Sequence, residues 1–476
     1  MVYNPLSYFL FLFITYLVFY LCPDHRRRPL LLFAGYLFYV LFNAVYLLAA
    51  LIVVTCISYV CGIRMAEQQD LLSRKRWFLT GISVCLATLA IFKYLHGFEL
   101  FLHDGLGVEG ILPVTITSIG VSYYTFQAIS YLVDVYLEVE EAERHFGQYA
   151  LYLSFFPKLL QGPIERAGDL IPQLKRPYRF DYDACRSGLF LFTWGMFKKV
   201  VLADRIALYA DKVFDNVHDF SGLALVIGIY AYALQIYFDF AGYTDMARGA
   251  ARLFGINLTE NFNSPYLATS IADFWRRWHI TFSRWILDYI FAPLQMAWRN
   301  KGQAGTAAAL LITFFVSGIW HGATVGFVIW GLLHGVYLAV SIYYRPYQKK
   351  LHKLLGVEKS RLLNWWQVLV TFNLVSFSWV FFRARNLGDA WYMVKNLFNG
   401  VSGVDAIFSS RGALENGITL IVIFIMLLVA VMKRNVSFSS VSSLPSHVRW
   451  SLYVMLPVAI LLLYTDSNNT FIYFKF

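Results

Sequence analysis

Apolar residues run along this chain in long blocks rather than at the three-to-four spacing of a half-buried soluble helix. Runs approaching the roughly 17 to 25 residues that span a bilayer fall at 5–22, 30–43, 44–62, 78–93, 113–136, 187–203, 223–240, 307–343, 365–382, 417–432 and 450–464. Several are short or interrupted. The run at 307–343 is too long: its 37 residues would reach roughly 55 Å as one helix, against a hydrocarbon core of roughly 30 Å. It must break, tilt strongly or turn back. The pattern predicts an all-α polytopic membrane protein with about 11 to 12 spanning helices.

Composition agrees with the pattern. Of 476 residues, 58% are hydrophobic and 14% charged, with a mean hydropathy of +0.55, outside the range of a soluble chain. If the long run makes two passes and the N-terminus starts outside, the loops at 24–29, 64–77, 137–186, 241–306, 344–364 and 433–449 face the cytoplasm, and they hold 30 of the 40 Lys and Arg. The positive-inside preference therefore accounts for the net charge of +11. No soluble domain is there to present a basic surface, so nucleic acid is not an expected partner. The apolar start of the chain has no basic leader and runs on into further spans, which predicts a retained first helix. Cys22, Cys56, Cys61, Cys85 and Cys185 sit within or at the cytoplasmic ends of spans and read as packing residues.

No repeat or linker divides the chain, so 1–476 reads as a single membrane domain. Two cytoplasmic segments, 137–186 and 241–306, mix short apolar stretches with Pro, Gly and charges. Such segments dip into a membrane only where they line a cavity. Tyr152–Leu160 and Trp285–Leu294 are the stretches expected to dip, giving a recess on the cytoplasmic face.

The richest chemistry lies in Ala272–Tyr289. Plotted as one helix at about 100° per residue, it presents an aromatic face of Trp275, Trp278, Phe282, Trp285 and Tyr289, suited to a membrane interface. A charged face carries Asp273, Arg277, Thr281, Arg284 and Asp288, with i,i+4 pairs between Asp273 and Arg277 and between Arg284 and Asp288. The third strip holds Arg276, His279 and Ser283, a set suited to an anionic or thioester ligand. The bland alternative, an interfacial helix whose arginines obey positive-inside, stands beside it.

Ser317–Gly326 lies inside the over-long run, with Gly318, Gly322 and Gly326 at every fourth position, a spacing that lets another backbone approach closely. An ionisable His321 there is costly in lipid and needs a cavity or a polar partner; a neutral imidazole so placed is a general base near pH 7. A buried histidine satisfied by a backbone carbonyl is the competing reading. His334, between Gly331 and Gly335, reads as structural. Asp239 and Asp245 end a span, and hydrogen bonds to the arginines of the next segment are the favoured assignment. No metal spacing, phosphate-binding glycine loop or nucleophilic serine elbow appears.

Taken together, Gly120–Tyr131, Phe155–Ile164, Phe238–Arg248, Asn261–Tyr266, Phe274–Tyr289, Trp320-His321-Gly322 and Phe471–Phe476 resemble the membrane-bound O-acyltransferase family over nearly the whole chain, in particular its bacterial branch of alginate, cellulose and peptidoglycan O-acetylation subunits. The resemblance implies a ring of tilted helices around a thinned centre, with a tunnel leading a cytoplasmic acyl donor to an acceptor across a bacterial inner membrane. It also implies His321 and His279 as the catalytic residues, with Arg276, Arg277, Ser283, Trp320, Asn263 and Tyr243 binding substrate. The implied donor is acetyl-CoA, with no bound cofactor or metal. The implied acceptor is a polysaccharide hydroxyl, reached through a periplasmic esterase-like partner. Two departures are visible: Gln295-Met296 follows Pro293-Leu294 where a Gly-Gly pair is expected, and Arg248 replaces a small or aliphatic residue. D-alanyl transfer to teichoic acid from a carrier-protein thioester, and non-enzymatic polysaccharide export, are the alternatives.

Overall fold

The computed structural model describes residues 5–42, 45–106, 120–322, 324–409, 412–433, 444–464 and 471–472. Residues 113–119 of the fifth predicted span, most of the 433–449 loop, Ala323 and the terminal 473–476 lie outside them. The described residues are helical, with no strand among them. Helices satisfy every backbone donor and acceptor internally, as apolar surroundings demand.

Among the described residues, seven helices are long and apolar enough to cross a membrane: Val45–Glu67, Leu71–Tyr94, Leu223–Leu253, Arg299–His321, Val325–Leu354, Arg361–Arg383 and Ser446–Leu463; Ser7–Leu21 and Ala413–Ile425 are shorter apolar helices. The chain divides into two compact units.

The first unit comprises residues 1–195, 243–260 and 470–476. It contains α1 (Pro5–Leu21), α2 (Asp24–Phe42), α3 (Val45–Glu67), α4 (Leu71–Leu106), α5 (Val121–Tyr136), α6 (Phe146–Ser154), α7 (Ala167–Lys175) and most of α8 (Tyr182–Phe197). A small residue sets the spacing: a Cβ on Gly35 would lie 2.2 Å from the Ser154 carbonyl oxygen, so α2 and α6 meet backbone to backbone there. The segment Ser154–Ile164, part of which was expected to dip, is fully buried. Its Lys158 donates to the Gln127 side-chain oxygen and lies 5.2 Å from the Tyr152 ring. Burial pulls the Lys158 amine down to about 7, against the opposing pull of Glu165. Glu165 accepts the Thr259 N–H at 2.6 Å and its hydroxyl at 2.9 Å, and burial raises its pKa.

The second unit comprises residues 196–242 and 261–469. A π-helical turn at Lys198–Ala203 leads into α9 (Asp204–Phe214), followed by α10 (Leu223–Leu253). Here the Asp239 carboxylate meets Lys199 at 2.7 Å, and Lys199 also reaches Asp204 at 2.8 Å. This corrects the sequence-based assignment of Asp239 to later arginines: the partner sits 40 positions earlier, where the wide π turn delivers it. Asp245, in the other unit, does pair with an arginine, but with its own neighbour Arg248 at 3.2 Å.

The over-long run turns back. Helix α14 (Gly302–His321) ends at extended Gly322, and α15 (Val325–Leu354) returns along it. The glycines make the hairpin tight: a Cβ on Gly318 would lie 2.5 Å from the Phe327 carbonyl oxygen, and one on Gly331 would lie 2.3 Å from that of Phe314. The short helices α11 (Ile271–Trp275), α12 (Ile280–Ile286) and α13 (Ala292–Ala297) precede it, and α16 (Arg361–Arg383) packs on α15. The unit ends with α17 (Leu387–Asn396), α18 (Val404–Ser409), α19 (Ala413–Lys433) and α20 (Ser446–Leu463).

Candidate active site

The stretch that the pattern draws as one helix from 272 to 289 is two helices with a break at Arg276–His279. The break is made by a distant segment. Asn263 N–H donates to the Arg277 carbonyl at 2.9 Å and the Asn261 carbonyl takes the Ile280 N–H at 2.9 Å, so groups that would continue the helix are bonded elsewhere. His279, at φ 42, takes the left-handed conformation that ends one helix and opens the next. A left-handed non-glycine residue costs on the order of 1 kcal/mol and persists where its surroundings hold it.

Asn261 is what holds it. Its side-chain oxygen accepts the Thr281 N–H at 3.1 Å and the Thr281 hydroxyl at 3.0 Å, and lies 3.2 Å from His279 Nδ1. Because that oxygen only accepts, the contact is a hydrogen bond in the tautomer that carries its proton on Nδ1. Burial pushes the His279 pKa down to about 3, so the ring stays neutral at physiological pH. It packs 4.7 Å from Phe240 and 5.1 Å from Phe282.

The aromatic side chains expected at a membrane interface are core instead: Trp275, Trp278, Phe282 and Trp285 are all buried. The reason is the break, which turns α11 and α12 so that their rings face protein. Trp278 stacks on Phe274 at 5.5 Å, and Phe282 stacks on Trp320 at 4.4 Å.

His321 closes α14 and is 4% exposed. Aromatic rings surround it: Trp320 at 4.4 Å, Trp330 at 4.8 Å, Phe382 at 5.1 Å, Phe282 at 6.0 Å and Phe327 at 6.3 Å between centroids. Phe282 therefore touches both histidines, which join in one site through a single phenyl ring. His334 differs: Trp275 donates its indole N–H to Nδ1 at 3.2 Å, and the Ser378 hydroxyl is 2.9 Å from Nε2.

The other expected binding residues are spread more widely. Trp320 lies in the cage. Ser283 donates its hydroxyl to the Trp278 carbonyl at 2.9 Å, fastening the break. Arg277 holds Asp273 at 3.0 Å, whereas Arg276 and Asn263 are exposed. Tyr243 belongs to the other unit, where its hydroxyl accepts the Gln161 N–H at 3.2 Å and its ring meets Phe471 at 5.3 Å. Sequence reasoning missed Asn261 and the cage residues Phe327, Trp330 and Phe382. Asn261 stood in a quoted motif, but its 18-residue distance from His279 matches no helical period. Among the described residues, no cluster of three or more His, Cys, Asp or Glu is arranged to hold a metal ion.

The arrangement supplies two buried imidazoles in apolar surroundings, of which His279 is neutral, and an imidazole is the side chain best suited to accept a proton near pH 7. Comparison with known proteins bears on the chemistry. The membrane-bound O-acyltransferase family matches residues 32–383, which include both histidines. The peptidoglycan O-acetyltransferase of Helicobacter pylori is 32% identical, over 99% of this chain and 97% of its own length. The probable alginate O-acetylase of Pseudomonas aeruginosa is 37% identical, over 82% of this chain and 74% of its own length. The teichoic acid D-alanyltransferase of Bacillus subtilis is 26% identical, over 57% and 69%. With its apolar helices and a family match over most of its length, the chain belongs to the membrane-bound O-acyltransferase family, as a multi-pass membrane enzyme that transfers acyl groups to oxygen.

Proposed function

We propose that this enzyme moves an acetyl group from acetyl-CoA on the cytoplasmic side of a bacterial inner membrane to a hydroxyl of a cell-envelope or exported polysaccharide, with a periplasmic partner completing the transfer. The 1–476 chain acts in this as one functional domain. The observation that carries the reading is the pair of buried histidines meeting at Phe282, in a chain alignable over 99% of its length with a peptidoglycan O-acetyltransferase.

In this reading His321 is the base. As the acceptor oxygen attacks the thioester carbonyl carbon, His321 takes the hydroxyl proton; the carbon–sulfur bond then breaks and the departing thiolate receives that proton. His279, held by Asn261, lies beside Phe282 and orients the acceptor. Arg276 is exposed at the break and binds the donor phosphates, with Arg277, Ser283 and Asn263 shaping the break around it and Trp320 walling the acyl group. Tyr243 is also assigned to substrate binding in this reading.

D-alanyl transfer is the second reading, favoured by the similarity to a teichoic acid D-alanyltransferase. Membranes containing the protein, given labelled acetyl-CoA in one arm and a D-alanyl carrier-protein thioester in the other, separate the two. Label entering alkali-labile ester from acetyl-CoA alone supports the first reading; label entering only from the carrier thioester replaces it with the second.

A further inference from the structure

Three tryptophans, Trp275, Trp330 and Trp379, pack against one another beside the candidate base, with ring centroids 5.9 Å and 5.7 Å from the central Trp330. Buried indole N–H groups ordinarily find an acceptor. Trp275 donates to His334 and Trp379 donates to the Tyr266 hydroxyl, each at 3.2 Å. Trp330, 1% exposed, has no acceptor for its N–H. Its ring stands perpendicular to His321 at 4.8 Å.

A second orphan lies one turn from His321 on α14. Serine and threonine in a helix usually fold their hydroxyl back onto the preceding turn, as Thr313 does to the Ala309 carbonyl at 2.7 Å. Ser317, four residues before His321 and so on the same helix face, is 1% exposed, and its hydroxyl has no partner. A buried polar group left unpaired is destabilising. Two such donors, both adjoining one histidine, point to an acceptor that arrives with substrate.

We propose that the Trp330 indole N–H and the Ser317 hydroxyl donate hydrogen bonds to the acyl carbonyl oxygen during transfer, forming the oxyanion site of this enzyme. The inference rests on His321 being the base. When the acceptor oxygen forms its bond to the acyl carbon and the proton passes to His321, the carbonyl electron pair moves onto oxygen. The two donors stabilise that oxyanion. The pair then returns, the carbon–sulfur bond breaks, and the thiolate takes the proton from His321. Fixed donors in an apolar site act where charge develops and need no reorganisation during the step.

The test measures the initial rate of alkali-labile acyl ester formation on envelope polysaccharide, counting acetate and D-alanine alike, with full-length variants at equal membrane abundance. Replacing the Trp330 indole by benzothiophene keeps the ring and removes only the N–H. The rate is expected to fall about 10²-fold with the thermal unfolding midpoint unchanged. Ser317→Ala is expected to lose a similar factor, and Ser317→Thr, which keeps a hydroxyl, to recover most of it. His321→Ala runs in parallel. If His321→Ala abolishes transfer while either the benzothiophene variant or Ser317→Ala keeps a near-native rate, the oxyanion assignment is overturned and the base assignment stands. If His321→Ala itself keeps a near-native rate, both are overturned.

Discussion

Two histidines on one helical hairpin have opposite surroundings. His334, in the middle of α15, is gripped through both nitrogens by Trp275 and Ser378. His321, at the turn end of α14, is enclosed by the faces and edges of five aromatic rings. Trp330 touches both, at 4.8 Å and 5.2 Å. An imidazole whose two nitrogens are committed to protein ties helices together. The His321 ring is packed against aromatic faces and edges instead. Residue type and burial are the same in the two places, so a difference in role has to come from neighbours.

That contrast can be broken in several ways. The largest structural effect is expected from Phe282→Ala, which removes the ring shared by His279 and His321 and leaves a cavity. A loss of roughly 3–5 kcal/mol and of nearly all transfer should appear in denaturation and ester assays, while the His334 layer keeps its contacts. His334→Ala should cost roughly 1–3 kcal/mol by orphaning the Trp275 N–H and removing the Nε2–H that the Ser378 hydroxyl accepts, yet transfer per folded molecule should stay within a few-fold of native. Asn261→Ala frees the His279 ring. About a tenfold fall in transfer is expected, the equivalent of one ordinary hydrogen bond, with a smaller change in the unfolding midpoint.

A further effect is on pH dependence. Burial lowers the His279 pKa from 6.5 to about 3, so between these values the unfolded chain binds more protons than the folded one. Stability should therefore fall as pH drops from about 6.5 toward 3. His279→Gln should flatten that part of the curve of unfolding midpoint against pH, and an unchanged slope would assign the acid sensitivity elsewhere.

Much of this site could be read from the sequence, because its signals are local. The hairpin follows from a run too long for one pass, and the close contact of α14 with α15 follows from glycines at every fourth position. His321 stands out because an ionisable group in such a run needs a reason. The break at Arg276–His279 was not legible, since nothing between 272 and 289 opposes a helix; the chain stops there because Asn261 and Asn263 bond its backbone. The burial of Trp278 and Phe282 follows from that break, so their expected interfacial position failed with it. Asp239 was matched to the wrong cation for a similar reason: Lys199 is brought to it by a π turn that carries no glycine or proline to mark it.

The central claim is that His321, and not His334, carries the acyl-transfer chemistry. The most direct measurement is the ester-linked acyl content of envelope and secreted polysaccharide from cells carrying the native chain, His321→Ala or His334→Ala at equal membrane abundance. Loss of at least about 10²-fold is expected for His321→Ala and near-native content for His334→Ala. Native content with His321→Ala, or equal losses in the two variants, would contradict the claim.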